Sequence, residues 1–389
     1  MSFVFALVVI AAVVALSLRR GLFLVAALLP SRLQPRSTAP PGVSVLVPAH
    51  NEGRVARRLL EALAKLQYPP DQLSFVLICD GCSDKTPTLF HAWADQRSDT
   101  RVLELPHRVG KAGALNMGFR LAKAEVIVVV DADLTPQPDF LTKLVQPFAD
   151  PAIGAAAAYL EPVNADVNII TRYAAITSWV HQLVTSAGID RLGLSPPTFG
   201  AAALRRSALE HIGGFPELRA GEDVATSACL IHRGWRTRFV TDARAGNTVE
   251  SSLRGYWRQH VRWARAASQI AASNRSQPMA SWPQRLEMAS SSISYGDRLV
   301  FATAVAGALT GTLSGWVPAL YLVVPGLEIM AASLKADVRG ALPRFLLAVP
   351  LLFAVDLIAS ISAVVVQILH RPLRWHNPRW VPGNGDLHK

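Results

Sequence analysis

Long apolar runs at the two ends of the chain flank a middle in which apolar runs are short and spaced. Residues 3–18 are almost wholly apolar, and the run can extend past Arg19-Arg20 to Leu29. Residues 299–324 and 345–369 form comparable runs near the other end. About 20 apolar residues cross a bilayer as a helix, so these runs predict membrane spans. No small-residue cleavage site follows the first run, which therefore reads as a retained span and not a secretory signal. Pro318 and Pro325 leave room for a break, so two C-terminal spans are expected and a third is allowed.

Between Val43 and about Glu250 the period changes. Residues 43–47, 74–78, 101–105 and 126–130 predict strands, with helices between them over 53–66, 84–97 and 111–122. Strand, helix, strand at this spacing predicts a parallel sheet with right-handed crossovers. Residues 251–296 read as amphipathic helices. The expected organisation is an N-terminal transmembrane helix (1–30), a proline-rich linker (31–42) and an α/β domain (43–250). Interface helices (251–297), C-terminal transmembrane helices (298–370) and a basic tail (371–389) follow.

Composition supports this order. The chain is 51% apolar and only 17% charged, too apolar for an ordinary soluble enzyme. Its net charge of +11 raises the question of nucleic acid, but no nucleic-acid module is present and aromatics do not interleave with the basic residues. The basic residues Arg19, Arg20, Arg32 and Arg36, with Arg371, Arg374 and Arg379, flank the apolar runs as cytosol-facing charge does. Three cysteines make no disulfide framework, and Cys79-x-x-Cys82 has no second pair to complete a zinc site.

The candidate chemistry lies beyond the carboxyl ends of the strands, where open α/β sheets bind ligands. Pro48-Ala49-His50-Asn51-Glu52 follows the first strand and Asp80-Gly81-Cys82-Ser83-Asp84 the second. Asp131-Ala132-Asp133 follows the strand Val126–Val130. Two acids one residue apart at a strand end are expected on one face, where a divalent cation carrying a phosphate relieves their repulsion. Each motif alone has a plain structural reading: Asp84 as a helix cap, Asp-x-Asp as chance, Lys111 as a solvated lysine at a helix start. Gly110-Lys111 opens a helix, and helix N-termini with a lysine suit a diphosphate, although the spacing is not that of a Walker loop. Further on come Gly221-Glu222-Asp223 and Gln259-His260-Val261-Arg262-Trp263. Arg262 can fork onto a phosphate and Trp263 can stack on a sugar or base, or both can lie at a membrane interface.

Taken in order, residues 43–52, Asp80 to Asp84, Gly110-Lys111 to Asn116, Asp131-x-Asp133, Gly221-Glu222-Asp223 and Gln259-x-x-Arg262-Trp263 resemble the membrane-bound family-2 glycosyltransferases. That family includes cellulose, chitin and hyaluronan synthases and ceramide glucosyltransferases. The resemblance covers roughly residues 43–263. It implies a GT-A, Rossmann-like fold flanked by transmembrane helices, a nucleotide-sugar donor (usually UDP-linked) and Mg²⁺ or Mn²⁺. It also implies that Pro48, Asn51, Glu52, Asp80, Lys111 and Asp131 bind the donor, that Asp133 holds metal, and that Asp223 is the catalytic base. Glu222, Gln259, Arg262 and Trp263 would shape the acceptor and diphosphate site. Cys79, Cys82 and Gly221 depart from residues frequent in the family. None of them removes a charged group, but they leave open which base or sugar is read.

The mechanism expected is a single inverting displacement, with Asp223 taking the acceptor proton and Lys111, Arg262 and a cation steadying the leaving diphosphate. Three or four spans hardly enclose a polymer pore, which favours a lipid-linked or membrane-proximal lipid or glycan acceptor, or a pore shared with a partner, over a stand-alone polymer synthase. The alternatives are a processive polysaccharide synthase, with a partner or oligomer if a polymer is exported, and a catalytically inactive membrane scaffold or receptor. The expected location is a bacterial-type cell membrane with the catalytic domain cytosolic and no nucleic-acid partner.

Overall fold

The computed structural model describes residues 2–30, 39–217, 221–273, 282–292, 296–338 and 342–369. Most of the linker, the basic tail with Arg371, Arg374 and Arg379, and Arg32, Arg36 and Arg339 lie outside the described residues. The chain begins with helix α1 (Ser2–Leu28) and enters the sheet domain through β1 (Val43–Ala49), α2 (Ala56–Leu63), β2 (Leu73–Asp80), α3 (Thr86–Ala94), β3 (Thr100–Leu105), α4 (Lys111–Leu121) and β4 (Val126–Val130). There follow β5 (Thr135–Pro136), α5 (Phe140–Leu144), β6 (Ile153–Pro162), α6 (Ile169–Trp179), a π-helical turn (Val180–Ser186) and α7 (Ala187–Leu192). The domain closes with β7 (Ala201–Arg205), α8 (Arg206–His211), α9 (Glu222–His232) and β8 (Arg236–Asn247).

These strands form one sheet in the order β3-β2-β1-β4-β7-β6-β8-β5. The four expected strands are parallel, and the register runs from Val43↔Leu73 to Ala49↔Cys79 between β1 and β2. The expectation of a wholly parallel sheet is corrected beyond β4: β7 runs antiparallel to β4 and β6, β8 lies parallel to β6, and β5 closes the edge antiparallel. Strand order reverses between β1 and β4, so the loops after these two strands open onto the switch point where such sheets bind ligands.

The unbroken Val126–Val130 run follows from burial of both faces. Side chains alternate along β1. Val43, Val45 and Val47 pack against α2, α3 and α5, while Leu46 packs with Leu115, Leu209 and Leu230 on the other side. Ser44 is also fully buried and is satisfied across the strands by the Ser74 hydroxyl at 2.8 Å.

Outside the sheet lie α10 (Leu253–Ser273), α11 (Trp282–Ser292), α12 (Asp297–Leu309), α13 (Trp316–Lys335), α14 (Leu342–Leu346) and α15 (Val349–Leu369). The apolar run 299–324 is not one helix. It breaks between Thr310 and Gly315, where Gly311 takes a left-handed φ of 71°, while Pro325 sits inside α13 and breaks nothing. Lys335 ends α13 and Arg344 lies in α14.

Among the described residues two helices, Phe3–Leu28 and Trp316–Lys335, are long and apolar enough to cross a membrane. The apolar window of the first is only 11% buried, unlike a soluble core helix. The last turns of α1 nevertheless dock onto the sheet domain: Leu24 and Ala27 share a cluster with Tyr159, Trp179 and Phe239.

Arg19 and Arg20 are not solvent-facing flanks of α1. Arg19 pairs with Glu287 at 2.6 Å, and Arg20 with Glu328 at 2.7 Å and Asp297 at 3.2 Å. Arg298 pairs with Asp297 at 3.1 Å and continues to Asp356 at 2.8 Å. A chain of alternating charges therefore ties α1, α12, α13 and α15 together. Buried charges in such helices persist when each finds a partner.

Candidate active site

The loops after β1 and β2 are laced together by side chains bonding to backbone. Asn51 adopts a left-handed φ of 59°, which asparagine tolerates, and its Oδ1 accepts the Ser83 N–H at 2.8 Å. Asp84 Oδ2 accepts the Gly53 N–H at 2.8 Å and Oδ1 the Thr86 N–H at 2.9 Å, so Asp84 joins the two loops just ahead of α3, whose N-cap position is Lys85. Glu52 lies beside them. Burial first, then the charges of Asp133 and Asp84, push its carboxyl above the ordinary glutamate range. Pro48 sits at the end of β1, paired with Ile78.

Asp80 is buried at the end of β2, and both its oxygens are engaged. Oδ1 accepts the Val109 N–H at 2.7 Å and Oδ2 the Gly110 N–H at 2.9 Å, fixing the loop that leads into α4. The glycine after it makes this approach possible. Gly81 has φ 60°, and a Cβ there would lie 2.5 Å from the Arg108 nitrogen and 2.8 Å from the His107 carbonyl carbon. Those are backbone atoms and cannot swing aside. Gly81→Ala is therefore expected to displace the 107–110 loop and destabilise the fold by about 1–3 kcal/mol, the usual scale of such strain. Thermal unfolding and donor calorimetry check it; a variant with unchanged melting and donor affinity removes the loop from the site.

Lys111 opens α4 and points into the cluster. Its Nζ lies 2.7 Å from Asp131 Oδ1 and 2.8 Å from Glu222 Oε1. Burial works against its charge, but Asp131, Glu222 and Asp223 outweigh burial and hold the ammonium above the ordinary lysine range. Burial pushes Asp131 up to about 6 against the pull of Lys111, with Asp133 and Asp223 adding to the rise. Seen from Lys111 the pair is strongly favourable; seen from Asp131 it falls short. Both hold because one cation serves several anions, and the direction that governs the site is an excess of negative charge.

Asp131 and Asp133 were expected on one face of an extended strand. The chain instead turns directly after Val130, with the Leu134 N–H bonding the Asp131 carbonyl at 3.1 Å. Asp131 consequently faces Lys111, whereas Asp133 stands exposed, its carbonyl held by Arg58 at 3.0 Å.

Glu222 and Asp223 form the first turn of α9 after Gly221, whose φ is 78°. Their charges suit the positive end of the helix. Asp223 Oδ1 accepts the Val224 N–H at 2.8 Å and Oδ2 faces the Gly200 N–H at 3.4 Å. Burial first and Glu222 second raise its carboxyl, and Lys111 with the two N–H groups only partly offsets them. Sequence reasoning missed the support beneath it. Ser227 and Thr198 hydroxyls donate to the Asp223 carbonyl at 3.0 and 3.2 Å, and the Thr198 N–H reaches Ser227 Oγ at 2.7 Å. The signal available was Pro196-Pro197 ahead of Gly200, a turn signature whose glycine has φ 59°. A cavity opens here, lined by Lys111, Leu115, Phe199, Gly200, Glu222 and Asp223.

Gln259, Arg262 and Trp263 lie on α10, which packs against α9 and α15. Trp263 is 46% exposed. No hydrogen bond or ion pair joins these three to the acid cluster among the described residues.

Among the described residues no three histidine, cysteine or acidic side chains gather closely enough to hold a metal unaided. The acid cluster still fits one kind of ion. Asp131, Glu222 and Asp223 act on a single ammonium, while Asp133 adds its charge beside Asp131 and makes no ion pair among the described residues. A hard divalent cation that takes one or two carboxylates and completes its shell with phosphate oxygens matches this donor set.

Comparison with known proteins follows the same residues. The family model described as "Glycosyltransferase like family 2" matches residues 40–266, more than half of the chain. A probable glycosyltransferase of Bacillus subtilis, YdaM, is 32% identical over 58% of this chain and 55% of its own length. An N-acetylglucosaminyltransferase of Sinorhizobium fredii is 32% identical over 59% and 58%. A beta-monoglucosyldiacylglycerol synthase of Trichormus variabilis is 29% identical over 59% and 49%. The chain thus aligns with about half the length of these curated relatives. Among solved structures, the mannosyltransferase PcManGT of Pyrobaculum calidifontis, in complex with GDP-Man and Mn²⁺, has a TM-score of 0.67 at 24% identity, covering 95% of this chain and 98% of that one.

Proposed function

The chain belongs to the glycosyltransferase-like family 2, and from that premise we propose that it moves a sugar from a nucleotide-diphosphate donor to a lipid-linked or membrane-proximal acceptor. The observation that carries the reading is the Lys111 ammonium gripped by Asp131 and Glu222 beside Asp223, at the switch point of the sheet. In this reading Asp131 and Asp80 shape the donor site with Pro48, Asn51 and Glu52, Asp80 acting through the loop it fixes. Asp133 and Asp131 would hold Mg²⁺ or Mn²⁺, which offsets the charge of the diphosphate when bound. Lys111 stabilises the leaving oxygen. Asp223 removes the proton from the acceptor hydroxyl as that oxygen attacks the anomeric carbon, so a single displacement inverts the configuration. Gln259, Arg262 and Trp263 contact acceptor and diphosphate from α10.

Two observations favour an acceptor at a membrane. Helix α1 presents apolar side chains that nothing among the described residues covers, and the beta-monoglucosyldiacylglycerol synthase relative has a lipid in its name. With α1 and α13 as spans, the basic tail argues for a cytosolic sheet domain. The Mn²⁺ and GDP-Man of the archaeal structure support a divalent ion and a nucleotide sugar, and put GDP-sugars beside UDP-sugars as donors to test.

Membranes containing the protein, given radiolabelled UDP- and GDP-sugars with Mn²⁺, are expected to place label in the organic phase with one donor. Label confined to aqueous polymer points to a processive synthase, and no incorporation from any donor points to an inactive scaffold. Asp133→Ala is expected to weaken divalent-dependent donor binding by at least the roughly 10–100-fold typical of losing an outer-shell partner. Calorimetry with and without chelator reads it; an unchanged metal response removes Asp133 from the ion.

A further inference from the structure

Asp356 is the one charged residue in the 21-residue apolar helix α15, and it is 2% exposed. Its oxygens are shared between three other helices. Oδ1 accepts the Tyr256 hydroxyl of α10 at 2.5 Å. Oδ2 accepts the Tyr173 hydroxyl of α6 at 2.9 Å and Arg298 of α12 through Nε at 3.1 Å and Nη2 at 2.8 Å. His260 Nε2 stands 4.0 Å from Oδ1. From there the contact passes along α10 through rings. Tyr256 stacks on His260 with centroids 3.9 Å apart, and His260 meets Trp263 edge-on at 5.1 Å. Tyr256, His260 and Trp263, spaced four and three residues apart, make one stripe of the helix.

Apolar filler would join these helices at least as well as a buried carboxylate, which costs desolvation wherever it is placed. What filler lacks is direction. A hydroxyl bonded to a fixed oxygen sets the rotation of α10 about its own axis, and so sets where the half-exposed Trp263 ring points. We propose that Asp356, braced by Arg298, is a positioning residue that aims Trp263 through Tyr256 and His260. This rests on the reading above that Trp263 serves the acceptor. It assigns to an aspartate of the apolar helix α15 the job of orienting a platform on a different helix.

The test uses the full chain in detergent micelles, labelled with fluorotryptophan and observed by fluorine NMR. Nine tryptophans give nine lines, and Trp263→Phe identifies its own. Tyr256→Phe, which removes only the hydroxyl, and Asp356→Asn are expected to shift or broaden the Trp263 line. The lines of Trp93 and Trp235 in the sheet domain should stay in place. The paired variant Arg298→Met with Asp356→Leu removes both charges together, so it guards against a single variant that fails to fold. It is expected to melt near the parent temperature while the Trp263 line remains displaced. A Trp263 line that does not move in Tyr256→Phe, or that returns to its parent position in the paired variant, overturns the proposal and leaves Asp356 as packing alone. The readout needs no turnover, so a protein that transfers no sugar still gives an answer, and failure of the catalytic reading is distinguished from failure of this one.

Discussion

Asp223→Asn is expected to lower sugar transfer by about 100- to 10,000-fold, the range over which a positioned general base contributes. The substitution is nearly isosteric. An asparagine oxygen can still accept the Val224 N–H now at 2.8 Å, so the first turn of α9 keeps its geometry. What disappears is the capacity to take a proton. Burial and the Glu222 charge raise the Asp223 carboxyl above the ordinary aspartate range, making it a better proton acceptor than a solvated one. The base works only when ionised, so the parent rate should fall on the acid side, at higher pH than an unperturbed aspartate would give. Single-turnover transfer and donor calorimetry together check the role. Loss of donor binding with transfer intact would sink it. Glu222 is the neighbouring candidate, but its carboxylate is tied to Lys111 at 2.8 Å. Glu222→Gln should therefore weaken the diphosphate end and not abolish proton removal.

Lys111→Met is expected to have the second largest effect, on both stability and activity. It leaves Asp131 and Glu222 without the cation at 2.7 and 2.8 Å. Stranding one member of a fully buried pair costs about 3–5 kcal/mol; Lys111 and Asp131 keep 32% and 28% of their side-chain surface in solvent, so roughly 2 kcal/mol is the better figure here. The pH dependence has a definite sign. Burial already raises the folded Asp131 carboxyl to about 6 against an unfolded value near 4, so ionising it opposes folding, and that penalty is full above about 6. Removing Lys111 raises the carboxyl further. The variant should therefore be most impaired at neutral pH and recover towards the parent as the pH falls to about 6, so that little of this deficit is left at about pH 5. Chemical denaturation at the two pH values reads this, and a deficit that grows on acidification contradicts it. Donor affinity should fall as well, because the same ammonium faces the diphosphate.

The parts of the fold that chemistry makes conspicuous were legible in the chain. The strand Val126–Val130 is a run of β-branched residues buried on both faces, and β1 and β2 exceed their expected ends because pairing continues to Ala49 in β1 and, against β3, to Asp80 in β2. The antiparallel half was not legible. Strand β6 reads Ile-Gly-Ala-Ala-Ala-Ala-Tyr-Leu-Glu-Pro and β7 reads Ala-Ala-Ala-Leu-Arg. Alanine carries no strand preference, so burial between two layers, not local propensity, decides these segments. The break between Thr310 and Gly315 vanished for a related reason: its glycines and small hydroxyl residues scarcely lower the average hydropathy of the run.

The acids and Lys111 stood out because charge is scarce in an apolar chain. Thr198, Ser227 and Gly200 did not, since nothing in their type distinguishes a support for Asp223 from an ordinary turn. Asp356 was hidden in the opposite way, as a single polar letter inside a stretch read only for its length.

The arginines of α1 also set a timetable for making the protein. Arg19 finds its acid 268 residues later and Arg20 finds Glu328 after 308. At a ribosomal pace of about 5–20 residues per second, those partners emerge on the order of fifteen seconds to a minute after α1 has been made. With α1 entering a bilayer as proposed, two uncompensated guanidinium groups delay its commitment to lipid until α11, α12 and α13 arrive. Stalled nascent chains of increasing length would register this as a late gain of protease protection. A helix made ahead of the sheet domain is thereby settled after it.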